Sequence, residues 1–109
     1  MNGIELIAAE RTRQVEVEGW TPEHDAEHVA GELPLAAAGY AQYAGVQSMV
    51  GASPGLKRLP AFWPWGREWW KPSDDPIRNL EKAGALIAAE IDRLQAQDGG
   101  GSYESRNSN

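Results

Sequence analysis

Pro76-Ile77-Arg78-Asn79-Leu80-Glu81-Lys82-Ala83-Gly84-Ala85-Leu86-Ile87-Ala88-Ala89-Glu90-Ile91-Asp92-Arg93-Leu94 reads as one long helix and decides the fold class. Ser73 or Asp75 can cap it. Pro76 suits its first turn, where a missing N–H removes no intrahelical bond. Ile77, Leu80, Gly84, Ile87, Ile91 and Leu94 recur at alternating intervals of three and four, the spacing of a heptad seam. A second set, Ala83, Gly84, Ala85, Ala88 and Ala89, is small enough to let a neighbouring backbone come close. Gly84 costs roughly 1 kcal/mol of helix propensity relative to alanine, and close approach accounts for its presence. One helix cannot bury both sets without several neighbours, which predicts a homo-oligomer.

Upstream, residues 4–18 read as a first helix on which Ile4, Ile7, Ala8 and Val15 share a face, with Gly19 as its stop. Thr21-Pro22-Glu23 is a helix start: Thr21 can cap, Pro22 fits the first turn and Glu23 complements the dipole. A short helix over 22–29 follows. Gly31 and Pro34 interrupt it before an alanine-rich helix over about 33–44, with Leu33, Leu35, Ala36, Tyr40 and Tyr43 as candidate packing residues. Residues 45–75 are irregular, too long a connection to lie idle in a compact domain. The fold expected is all-α, a small three- to four-helix bundle with a long Trp/Pro-rich connection. Residues 1–97 form one domain, and the polar, glycine-rich stretch 98–109 reads as a disordered tail.

Bulk composition narrows the function classes. A chain of 109 residues supports one modest core. Its net charge of −6 disfavours binding to a nucleic-acid backbone. Cysteine is absent, which excludes disulfides, thiolate zinc sites and cysteine nucleophiles. No apolar run is long enough to span a bilayer, and Met1-Asn2-Gly3-Ile4-Glu5 lacks the layout of a secretory leader, so a cytoplasmic protein without membrane contact is expected.

Two constellations could carry chemistry. Four of the five tryptophans fall within eight residues, in Phe62-Trp63-Pro64-Trp65-Gly66-Arg67-Glu68-Trp69-Trp70-Lys71. Rings beside Arg67 and Lys71 suit a planar anionic ligand whose base stacks while its phosphate pairs with a cation. The candidate ligand-binding set is Trp20, Trp63, Trp65, Arg67, Trp69, Trp70 and Lys71. The bland reading is that the rings roof a core short of large aliphatics. The same aromatics could anchor a protein partner instead.

In His24-Asp25-Ala26-Glu27-His28, the histidines stand four apart and project from one helical face, so with Asp25 they could ligate a divalent metal. A third fixed ligand would come from Glu32, Asp74 or Asp75. The bland reading is a solvated acidic helix. No cofactor is otherwise indicated. A metal-dependent nucleotide phosphohydrolase of the MazG kind needs facing Glu-x-x-Glu and Glu-x-x-Asp pairs. Those pairs are missing here, since the third place after Glu81 is Gly84 and after Glu90 is Arg93.

Several stretches together resemble a group of small proteins encoded by tailed phages and prophages. They are Ala9-Glu10-Arg11 through Glu18-Gly19-Trp20-Thr21-Pro22-Glu23-His24-Asp25, Gly31-Glu32-Leu33, Trp63-Pro64-Trp65 with Trp69-Trp70-Lys71-Pro72, and Arg78-Asn79-Leu80 through Ile91. The resemblance covers most of residues 4–94. It implies an accessory protein acting in the bacterial cytoplasm during infection, and by analogy one that blunts host defence by binding an effector or sequestering a nucleotide signal. It carries no catalytic residue across.

Overall fold

The computed structural model describes residues 1–52 and 57–97. Four α-helices and one 3-10 turn make up the regular structure, and the described residues contain no strand. The helices are α1 (Gly3–Glu16), α2 (Pro22–Asp25), α3 (Glu32–Val50) and α4 (Pro76–Gln97), with the 3-10 turn at Arg67–Trp69. The expected tail over 98–109 lies outside the described residues. No described helix is long and apolar enough to cross a membrane.

The anticipated caps at α2 and α4 form. Thr21 Oγ1 accepts from the His24 amide at 3.3 Å, and Asp75 Oδ1 accepts from the Ile77 amide at 3.0 Å. α1 gains a reciprocal box between Asn2 and Glu5, which satisfies two amides that the first turn leaves without partners. α3 is longer than the expected 33–44. Pro34 falls in its first turn and does not break it, and the helix ends only at Gly51, whose φ of 72° is the left-handed conformation glycine adopts cheaply. α2 is shorter than the expected 22–29, because the chain leaves the helix after Asp25.

α3 and α4 pack together most extensively, through faces of unequal bulk. α3 and the segment after it supply Leu33, Tyr40, Tyr43 and Trp70, while α4 answers with Ala83, Leu86 and Ala89. Asn79, with no exposed surface, joins three elements. Its Nδ2 donates to Gln47 Oε1 on α3 at 2.9 Å and to the Ser73 carbonyl at 2.8 Å, and its Oδ1 accepts from the Ser73 amide at 2.8 Å.

α1 lies against α4 on a face rotated from the one expected, which keeps Ile7 and Val15 partly buried. Ile4 and Ala8 are exposed, whereas Glu10 and Gln14 are buried. The helix rolls because α4 offers Arg78, whose guanidinium meets Glu10 Oε1 at 2.6 Å. Ile7 then seats on Gly84, where an added Cβ would come within 2.5 Å of Ile7 Cδ1. The close approach expected at Gly84 is therefore to a side chain of α1. Apart from Gly84, the heptad seam of α4 stays about half exposed among the described residues.

Candidate functional site

The long connection is ordered by its own aromatics. At Gly39 on α3 an added Cβ would lie 2.9 Å from Pro60 Cγ and 3.5 Å from Trp63 Cε3, so the bare backbone there lets the segment settle on the helix. Trp63 Nε1 donates to the Gly66 carbonyl at 3.1 Å, and Trp70 Nε1 donates to the Lys57 carbonyl at 3.2 Å. Each indole N–H thus finds an acceptor, as a ring withdrawn from water requires.

The rings form one chain from core to surface. Tyr43 meets Trp70 at 6.0 Å, Trp70 meets Trp63 at 5.0 Å, Trp63 meets Trp65 at 5.6 Å, Trp65 meets His28 at 5.5 Å, and His28 meets His24 at 5.1 Å. Tyr40 joins the chain beside Trp63 and Trp70. Trp70 is the buried end and belongs to the core, while Trp69 is 48% exposed. The two bland and sharp readings of the segment therefore divide along it: Trp70 fills the interior, and the other rings line surface hollows.

Trp20, Trp65 and Trp69 are common to two such hollows. One, of about 210 Å³, is completed by His24, Asp25, His28 and Leu33. The other, of about 220 Å³, adds Trp63, Tyr40, four cations, Arg13, Lys71, Arg78 and Lys82, and two carboxylates, Glu10 and Glu18. Trp20, Trp63, Trp65, Trp69 and Lys71 are thus brought together as the sequence suggests. Arg67, in the exposed 3-10 turn, lines neither hollow. Arg13, Arg78 and Lys82 were not anticipated. Arg78 and Lys82 had one sequence signal, their i, i+4 spacing one helical turn apart on α4, and Arg13 had none.

The cation cluster is only partly neutralised. Burial raises the Glu10 carboxyl, but hydrogen bonds from Arg13 and Arg78 outweigh it, and the group is lowered to about 2. Among the described residues neither Lys71 nor Lys82 pairs with a carboxylate. Lys71 Nζ sits 5.6 Å from the centre of the Trp69 ring. Lys82 Nζ lies 5.3 Å from the Tyr40 ring and donates to the Lys71 carbonyl at 2.7 Å. Burial, and then the Arg78 charge, hold the Lys82 ammonium below the usual lysine range. Burial likewise raises the Tyr40 phenol. Gln14 lines the same hollow, and its buried Oε1 accepts no hydrogen bond.

The histidine side has a different character. Arg11 holds Asp25 at 2.7 Å, so that carboxylate is committed to a guanidinium. His28 Nδ1 lies 3.5 Å from Glu32 Oε2. His24 and His28 meet edge to face although the helix has ended between them. Among the described residues no three histidine, aspartate or glutamate side chains group to hold a metal ion.

No protein-family model matches this chain, and neither a curated protein nor a solved structure is matched to it.

Proposed function

We propose that this protein is a non-enzymatic accessory protein of the phage kind, acting in the bacterial cytoplasm, that sequesters a small planar anionic ligand of nucleotide type. One observation carries the reading: Trp20, Trp63, Trp65 and Trp69 line the same hollow as Arg13, Lys71, Arg78 and Lys82. Indole faces stack on any base, and Lys71 and Lys82, which pair with no carboxylate among the described residues, favour a phosphate, whereas Arg13 and Arg78 are already held by Glu10. Lys82 supports this in particular. A half-buried ammonium that is disfavoured in its own site gains from any anion that enters. The unpaired Gln14 Oε1 offers an acceptor for a base N–H.

The volume of about 220 Å³ falls below the ~300–1,000 Å³ of sites that enclose drug-sized molecules. A ligand of nucleotide size would keep part of its surface in water. Exchangeable binding of a signal is compatible with that, whereas a sealed reaction chamber is not.

The test uses AMP, GMP, CMP, UMP and inorganic phosphate, each titrated against the protein by calorimetry with tryptophan fluorescence in parallel. At least one nucleotide binds and quenches the indoles. Trp69→Ala and Lys82→Met each weaken it about tenfold or more, the loss of one stacking or charged contact, with the helical circular dichroism unchanged. Arg67→Ala, outside the hollow, leaves binding as it was. Binding that survives both changes would overturn the site, and silence from the whole panel would overturn the ligand class.

A further inference from the structure

The outer face of α4 carries a row of aliphatic side chains that the subunit leaves uncovered. Ile77, Leu80, Ile87, Ile91 and Leu94 are each between 44% and 56% exposed. Their spacing is the heptad, under which two helices coil so that the stripe always faces its partner. A helix that packs only within its own subunit needs no such row. α4 meets α3 and α1 through other residues, among them Asn79, Ala83, Leu86 and Ala89.

The gap in the row is filled. Gly84 has no side chain, but Ile7 of α1 occupies the place where one would be. The apolar surface therefore runs unbroken past Gly84. From Ile77 to Leu94 it extends roughly 26 Å, at ~1.5 Å per residue.

We infer that α4 pairs, seam to seam, with α4 of a second copy of this chain. The stretches 53–56 and 98–109 offer little apolar side chain to cover the seam. Residues 53–56 contain one large apolar side chain, Leu56, and residues 98–109 contain one, Tyr103. The border of the seam also favours a like partner. Glu81, Ala88 and Gln95 flank it on one side, and Glu90 and Gln97 on the other, where Ala83 is already buried within the subunit. In an antiparallel pair Ile77 stands against the partner's Leu94 and Leu80 against the partner's Ile91. Glu81 then faces alanine and glutamine of the second copy. In a parallel pair Glu90 faces glutamine. Neither orientation sets like charges opposite each other. Both glutamates are moreover paired at home, Glu81 with Arg78 at 3.2 Å and Glu90 with Arg93 at 2.7 Å. A second copy thus meets a neutral rim and an apolar centre.

A single helical stripe is at the small end for a specific interface, so the pair dissociates on dilution. Sedimentation equilibrium over about a hundredfold range of concentration reads this directly, since the share of chains in a reversible pair rises with concentration. The wild-type protein shifts from the 11.9 kDa chain toward twice that mass. Ile87→Lys with Ile91→Lys raises the dissociation constant by about a hundredfold or more, because each ammonium must be desolvated against aliphatic carbon. The milder Ile87→Gln weakens the pair while keeping the monomer's circular dichroism. A wild-type chain that stays monomeric throughout overturns the proposal. So does a pair that survives the double lysine change, or an assembly of three or more chains. None of these outcomes depends on the ligand titrations.

Discussion

α4 presents two faces that differ in the opposite sense from a simple hydrophobicity ranking. The face toward α3 and α1 is small or polar: Asn79, Ala83, Ala85 and Ala89, with Leu86 as its one large aliphatic. The face toward solvent holds five large aliphatics. By apolar area alone, at about 25 cal/mol per Å², the outer row would make the better core. Bulk decides otherwise. α3 and the Trp segment bring Tyr40, Tyr43, Trp63 and Trp70 to the interface, and close packing then requires alanines opposite. Large meets small inside the subunit, and large is left to meet large outside it. The inner face is about shape and hydrogen bonds, the outer face about transfer from water.

Asn79→Ala breaks the inner face most deeply. It removes three hydrogen bonds at once and leaves the Ser73 amide without its acceptor beneath the start of α4. Unsatisfied buried polar groups cost ~1–3 kcal/mol each, so a loss of about 3 kcal/mol in urea unfolding is expected. The Trp segment ends at this anchor, so nucleotide binding falls with it. On the outer face, by contrast, Ile87→Gln alters unfolding of the isolated monomer by about 0.5 kcal/mol or less, as for surface changes generally.

Acid sharpens the comparison next, because Glu10 is where α1 is fastened to α4. Its folded value of about 2 lies below the 4.5 of a free glutamate. A depressed carboxylate contributes stability that is complete above its unfolded pKa and lost as pH falls through the folded one. The window is therefore from about 4.5 down to about 2. The shift corresponds to roughly 3 kcal/mol, which the solvent around the two partly exposed guanidiniums reduces to about 2 kcal/mol. The melting temperature of the wild type should fall across that window more steeply than that of Glu10→Gln, which keeps the other paired carboxylates such as Asp25. Equal slopes would mean that the Arg13–Glu10–Arg78 cluster does not fasten α1.

What the sequence disclosed, and what it hid, follows the same division. The caps at Thr21 and Asp75, the span of α4 and its seam were legible because each depends on residues within a few positions. The face of α1 was not. Glu10 is buried because Arg78 meets it, 68 positions along the chain. The end of α3 was obscured because no strong breaker precedes Gly51. At the candidate site, the tryptophans announced themselves by local density, whereas Arg13, Arg78 and Lys82 belong to two other elements. Arg67, adjacent in sequence, is distant in role. The histidines were expected to meet through helical spacing, and they meet through a turn against Trp65.

Gly84 lies where the two faces join, and its replacement gives the smallest effect with the most diagnostic sign. Gly84→Ala gains up to ~1 kcal/mol of helix propensity. The new methyl would enter the space of Ile7 Cδ1 and Cγ1, at 2.5 and 2.7 Å. Ile7 is only partly buried and can rotate outward, giving back part of its own burial, on the order of 1 kcal/mol. The two terms nearly cancel, and urea unfolding should move by no more than about 0.5 kcal/mol. Gly39→Ala has no such escape, since the rigid Pro60 ring stands at 2.9 Å with Trp63 beside it. A Gly84→Ala loss as large as that of Gly39→Ala would show that Ile7 is locked, and a locked Ile7 would make α1 part of the inner face rather than a movable edge of the outer one.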